Sequence, residues 1–346
     1  MRFYTTLPFF LSAVLAQAPS KSGDAVVFGE SGTYPRAVHL TDGSLLGTYT
    51  HSDGANTTLL TVTSTDNGAS WSTLGEIATE FSATRDLDNP YVHQMPNGDI
   101  LAAFRNHDRP SAGAAATYHR ITVCTSNDKG KSWSYLSTPI EMPAGPGVWE
   151  PFMQTGLDDG IQLYYSKETS PDGQDSIIRR TYDNGLTWTE EQVFTGQGIN
   201  ARDGMIGVAP IADRSATKVA IFESGDINVS PTHFTVWVVR TTDDGNTWGS
   251  TRYPVYTPST QAGAPQIIRV GTKLVASFGT NESGGDWPEG AMAVMVSNDG
   301  GLTWADKTIV HANPAMWAGM IALDDTSFLA LYETGRTCYA QKMVFN

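Results

Sequence analysis

Along this chain apolar residues come in short runs, broken every few positions by glycine, proline, asparagine or aspartate. The runs "SLLGTYT" from Ser44, "DILAAFR" from Asp99, "KVAIFES" from Lys218, "KLVASFG" from Lys273 and "SFLALYE" from Ser327 are alternating or continuous, and each is bounded by turn residues. This pattern predicts short β-strands, and nowhere does a convincing amphipathic helical period appear. The first residues differ. One basic residue precedes an apolar stretch from about Leu7 to Leu15, followed by small residues at Ala16 and Ala18. That stretch is too short to span a bilayer and reads as a secretory signal peptide over residues 1–16, with a mature domain over 17–346.

Between the strands one phrase recurs five times: "STDNGASW" from Ser64, "SNDKGKSW" from Ser126, "TYDNGLTW" from Thr181, "TTDDGNTW" from Thr241 and "SNDGGLTW" from Ser297. A match to [ST]-x-D-x-G-x-[ST]-W at a given start has odds on the order of one in a million, so five cannot be coincidence. The tryptophans Trp71, Trp133, Trp188, Trp248 and Trp304 are 62, 55, 60 and 56 residues apart, which marks a repeat of one small sheet. Each phrase reads as a hairpin turn: Asp caps the bend, Gly supplies a positive φ, and Trp packs beneath. Calcium binding is a poor alternative, because each loop offers only one or two acidic side chains.

Four strands per period is a β-propeller blade. The mature length divided by the period gives between five and six blades. Five carry the turn phrase, the segment from about His311 to Asn346 supplies a sixth, and the strand near Ala25 to Phe28 is expected to pair with it and close the ring. The predicted fold is therefore an all-β six-bladed propeller. Its repeated turns lie on the face opposite the central pocket, so they are scaffold.

Aligning the blades on their turns locates the pocket. The innermost strands open with "TYPRA" (Arg36), "DLDNP" (Asp88, Asn89), "WEPF" (Glu150), "ARDGM" (Arg202, Asp203), "APQ" (Gln266) and "NPAMW" (Trp317). The ends of the second strands give another ring: Thr50, Arg105, Lys167, Glu223, Gly279 and Glu333. Chemistry varies here while the frame repeats, as expected of a functional mouth.

Composition narrows the partners. The net charge is −14 and no basic stripe occurs, which argues against nucleic acid or an anionic membrane. His51, His93, His107, His119, His233 and His311 lack ligand spacing, and no phosphate loop is present, so neither metal nor cofactor is expected. Cys124 and Cys338 fall in non-neighbouring blades and are expected to be buried, unpaired thiols. Sequons at Asn56, Asn228 and Asn281 suit a secreted eukaryotic protein. A closed ring leaves no sheet edge needing a partner, so a monomer is expected.

Two carboxylates stand out. Glu150 is flanked by Trp149, Pro151 and Phe152, a setting expected to raise its pKa; Glu223 follows Phe222, with Arg202 or Lys167 to keep it ionised. An acid and a carboxylate in one pocket meet the requirement for glycoside hydrolysis, while the bland reading is that each glutamate pairs with the basic ring. Weaker candidates for sugar contacts are Arg36, Asp88, Asn89, Arg105, Lys167, Arg202, Asp203 and Gln266, with Trp149, Trp287, Trp317 and Tyr332 as stacking surfaces.

The five turn phrases resemble the Asp-box, or BNR-repeat, sialidase superfamily of six-bladed propellers over nearly the whole mature sequence. Sialidases use a tyrosine nucleophile and three arginines. This chain has "YPR", with Arg after Pro rather than before Ile-Pro, and Arg36, Arg105, Arg202, Arg269 and Arg336 form no evident triad. The set "YPRA", "DLDNP", "GVWEPF", "ARDGM" and "IFES" instead resembles glycoside hydrolase family 93, fungal exo-1,5-α-L-arabinanases. That resemblance implies a secreted, retaining enzyme acting on linear arabinan and releasing arabinobiose, with the catalytic pair on Glu150 and Glu223. The expected roles are Glu150 as acid/base and Glu223 as nucleophile, an assignment that is reversible because it rests on Glu150's apolar neighbours. Two rivals stay open: an exo-sialidase with Tyr332 as nucleophile, and a non-catalytic propeller that binds glycan or protein.

Overall fold

In the computed structural model, which describes residues 17–143 and 145–346, the strands form six four-stranded antiparallel blades. Residues 1–16, where the signal peptide is expected, lie outside the described residues. The innermost strands are Gly32–His39, Arg85–Gln94, Val148–Thr155, Ala201–Pro210, Ala262–Val270 and the second half of the long strand Ala305–Ala322. Each packs beside the next, and the sixth packs beside the first, so the ring is closed. The first half of Ala305–Ala322 is the outer strand of blade 5, which is why blades 5 and 6 join in one sheet. No helix occurs among the described residues, as the apolar pattern predicts, and none is long and apolar enough to cross a membrane.

Closure follows the sequence reading. Val26–Gly29 pairs antiparallel with the last strand, Thr337–Val344, and Ser20–Lys21 pairs with the same strand. Blade 6 thus takes its outer edge from the start of the chain. Cys124 and Cys338 are both buried and free, in blades 2 and 6.

The five turns share one hydrogen-bond scheme. In the first, Ser64 Oγ donates to Asp66 Oδ1 at 2.8 Å, and Asp66 accepts from the Ser70 amide at 2.9 Å and the Ser70 hydroxyl at 2.6 Å. The equivalent bonds recur around Asp128, Asp183, Asp243 and Asp299. So many donors hold these carboxyls below their usual range, to about 2 for Asp66, Asp183 and Asp243.

The turn glycines do more than bend the chain. Gly68, Gly130, Gly185, Gly245 and Gly301 all have positive φ. A Cβ on them would press on Leu329, Leu46, Leu101, Tyr164 and Val219 respectively. All five of those residues belong to the second strand of the preceding blade. The turn tryptophans fill the same seams; Trp71, for example, sits 4.6 Å from Phe28 in the core shared by blades 6 and 1. Each repeated turn is therefore a staple between neighbouring blades. The first residue of each turn pairs with the start of its blade's second strand, at the end opposite the mouth. Five residues of strand, about 17 Å, separate the two faces.

Candidate functional site

Each innermost strand breaks register once, at the same height. The breaks fall after Thr33, Asp88, Trp149, Gly204, Gly263 and Met316. The next residue in each case has a positive φ: Tyr34 at 57°, Asn89 at 54°, Glu150 at 43°, Met205 at 54°, Ala264 at 51° and Trp317 at 57°. A left-handed conformation costs a residue with a side chain roughly 1–2 kcal/mol, and it re-aims that side chain. Six such bulges turn six unlike side chains toward the axis, where Tyr34, Met205, Ala264 and Trp317 pack together as a floor. Four of the six precede proline, at Pro35, Pro90, Pro151 and Pro265. Proline donates no ladder hydrogen bond, so an unpaired bulge position suits it.

The second strands supply the wall. The residues paired just before each bulge are Thr50, Arg105, Ser166, Glu223, Gly279 and Glu333. Their predecessors, Tyr49, Phe104, Tyr165, Phe222, Phe278 and Tyr332, are aromatic in all six blades, point the other way and are buried between blades. This alternation corrects two expectations. Ser166, not Lys167, faces the axis; Lys167 lies one residue out of phase and pairs with Glu191 at 2.5 Å. Tyr332 is a core residue, stacked on Tyr339 at 5.7 Å, with burial pushing its hydroxyl up to about 12.

Glu150 and Glu223 stand on adjacent blades, each deep yet only partly shielded from solvent. Burial raises the Glu150 carboxyl, while the charge of Arg105, the Ser166 hydroxyl and the charge of Arg202 pull it back. Of its apolar sequence neighbours, Phe152 packs into the core between blades 3 and 4 and Trp149 leans on His107 at 4.9 Å. Glu223 is raised to about 7. Burial is the main cause and the charge of Glu150 adds to it, against the Ala264 amide and Arg202. That amide donates to Glu223 Oε2 at 2.7 Å, so the blade 5 bulge orients the blade 4 carboxyl.

Polar groups gather around Glu150. Asp88 accepts from Thr50 Oγ1 at 2.6 Å and the Asn89 amide at 2.8 Å, and Arg105 Nη2 lies between Asp86 at 3.2 Å and Asp88 at 3.1 Å. The Arg105 guanidinium sits 5.1 Å from the Trp149 ring, which makes Trp149 a support for Arg105. Arg202 pairs with Glu168 at 2.9 Å. Asn89 is buried with its Oδ1 unpartnered.

Three further candidates lie elsewhere. Asp203 is fully buried and bridged to Arg252 in the outer part of its own blade, because it sits one residue before the Gly204 register break. Arg36 and Gln266 come two residues after their bulges and belong to the layer beneath the floor. Arg36 is 2 % exposed, lies 3.8 Å under the Tyr34 ring and donates to the carbonyls of Pro35 and Trp317. Gln266 packs over Gly207, whose missing Cβ leaves it room. Tyr34, Ser166 and the Ala264 amide were not singled out from sequence; aligning blades on the aromatic of the second strand and the proline after the bulge finds them. Among the described residues no cluster of three or more His, Cys, Asp or Glu side chains is arranged to hold a metal ion.

No protein-family model matches the chain, and no curated protein matches it in sequence. Solved structures do. The family 93 α-L-arabinofuranosidase of Fusarium graminearum in complex with arabinobiose is 18% identical, with a TM-score of 0.74 over 94% of this chain and 98% of that one. The α-L-arabinanase of Penicillium chrysogenum, also with arabinobiose, is 16% identical, with a TM-score of 0.72 over 94% and 98%. A Hadza microbial sialidase is 17% identical, with a TM-score of 0.65 over 90% of this chain and 65% of that one. At these identities the likeness establishes the propeller fold.

Proposed function

We propose that the protein is a secreted, retaining glycoside hydrolase that cleaves linear 1,5-α-L-arabinan from a chain end and releases arabinobiose. One observation carries this reading: two carboxyls on adjacent blades share one mouth, one raised to about 7 and the other beside Arg105, Arg202 and a hydroxyl. Their environments favour the reverse of the roles expected from sequence: burial raises both carboxyls, but Arg105, Arg202 and Ser166 oppose it at Glu150. Glu223 holds a proton near neutral pH and serves as acid/base, while Glu150, supported by cations, serves as nucleophile. Glu150 attacks the anomeric carbon as Glu223 protonates the departing glycosidic oxygen. Glu223 then takes a proton from water, which displaces Glu150 and restores the starting configuration.

The charge arrangement favours a neutral sugar. Arg105 is committed to Asp86 and Asp88, Arg202 to Glu168, and Arg36 is beneath the floor. These three arginines are therefore not free to clamp a sugar carboxylate, and Tyr332 is in the core, both of which count against the sialidase reading. The two neighbours solved with arabinobiose support arabinan as substrate and the disaccharide as product.

The test is to incubate the secreted protein with linear arabinan and, separately, with a sialoside, and to follow products by NMR. Arabinobiose first appearing as the α-anomer supports the reading. Sialic acid release, or the β-anomer, overturns it.

A further inference from the structure

The two halves of the mouth differ. Blades 2 and 3 surround Glu150 with Asp88, Asn89, Arg105 and Ser166, whereas blades 4 and 5 present Gly204, Gly263 and Gly279 at the corresponding places. The space those glycines free is used. A Cβ on Gly263 would collide with Glu223 Oε2 and come within 3.0 Å of the Trp287 indole, and one on Gly279 would reach the same ring at 4.0 Å. Glu223 and Trp287 thus share one small platform on blade 5.

Trp287 comes from the segment between strands Lys273–Thr280 and Gly290–Ser297. That segment is a strap anchored at both ends. Asn281 Oδ1 accepts from the Gln261 amide at 2.9 Å, and Asn313 Nδ2 donates to the Gly284 carbonyl at 2.8 Å. Gly285, at a φ of 101°, leaves room for the Asn313 amide. Glu282 is held by Lys307 and Tyr256. The indole is half-buried, with part of its surface open to solvent. A broad apolar face fixed beside a carboxyl, with no charged partner of its own, suits a sugar ring.

We infer that Trp287 is the stacking platform for the leaving-group sugar, a neutral furanose ring attached through the oxygen that Glu223 protonates. This rests on Glu223 as acid/base. The sugar bonded through the protonated oxygen lies on the acid's side of the scissile bond, and the wall on that side is Trp287. The polar half around Glu150 then receives the sugar that is transferred.

The experiment compares two substrates that share the transferred arabinobiosyl unit: linear arabinan, whose leaving group is a sugar, and arabinobiosyl fluoride, whose leaving group is a single atom. In Trp287→Ala the ratio of kcat/KM on arabinan to kcat/KM on the fluoride is expected to fall about tenfold, and Trp287→Phe is expected to restore most of it. An unchanged ratio, whether both rates fall together or neither does, overturns the platform. If Trp287→Ala does not fold, the Phe variant beside Trp287→Leu gives the same comparison, with Leu expected to lower the ratio. Failure of the parent reading looks different, since the native protein would then leave arabinan intact. The platform is in that case judged by titrating native protein and Trp287→Phe with neutral oligosaccharides: fluorescence quenching lost in the variant supports it, and no quenching in the native protein overturns it.

Discussion

The stapled face and the mouth are built from the same blades and treat their carboxylates in opposite ways. At the five turns each aspartate accepts bonds from a hydroxyl residue on either side, so its pKa falls, and one scheme is copied five times. At the mouth six bulges share a backbone but not a side chain, and burial raises the pKa of Glu150, Glu223 and Glu333. Satisfied carboxylates support folding; poorly solvated ones cost stability and gain reactivity.

This contrast can be broken from the mouth side first. Glu150→Gln removes the proposed nucleophile and is expected to lower kcat at least about a thousandfold with little change in Tm, as read by arabinan hydrolysis and thermal melts. The pH profile sharpens it next. The proposed roles need Glu223 protonated and Glu150 ionised, so kcat/KM is expected to decline as pH rises past about 7 and to decline again in acid. Replacing Arg202 by Met removes a cation that lowers both carboxyls. Both limbs of that profile are expected to move to higher pH, with roughly a tenfold loss in kcat/KM at neutral pH.

Stability offers a smaller effect with an opposite sign on the two faces. Glu223 has a folded pKa of about 7 against an ordinary 4.5, so its ionisation weakens the fold as pH rises through that window. Native Tm should therefore fall between pH 4.5 and 7 relative to Glu223→Gln, and parallel curves for the two proteins would contradict it. The turn aspartates run the other way: their contribution is complete above the ordinary carboxylate range and is lost only as pH falls toward about 2. Asp299→Ala, which removes one staple, is expected to cost about 1–2 kcal/mol in denaturant unfolding and to leave kcat/KM of the folded protein unchanged.

The frame was legible because it repeats. Five copies of one turn fix the blade period, and the aromatic before each wall residue marks the strand's inner face. The site was legible in part. Glu150 and Glu223 fall where blade alignment puts them, yet Lys167 lies one residue out of phase, because "YYSKE" offers two successive aromatics as the alignment point. Asp203 is likewise one residue out of phase, ahead of its bulge, whereas Arg36 and Gln266 lie beyond theirs. A register break is invisible in an alternating pattern, and it moves each side chain beyond it to another depth. The exchange of roles proposed for the two glutamates has no signal in the sequence. Sequence neighbours set Glu150's apparent surroundings, but Arg105 and Arg202 reach it from other strands.

The latch of the ring also fixes an order of events. Val26–Gly29 and Ser20–Lys21 have as their partner the strand Thr337–Val344, some three hundred residues later in the chain. During synthesis the opening segment must wait, unpaired, while five blades form behind it. The seam of blades 6 and 1, which holds Phe28, Trp71 and Leu329, therefore closes only once the strand Thr337–Val344 is in place, a contact of very long sequence separation.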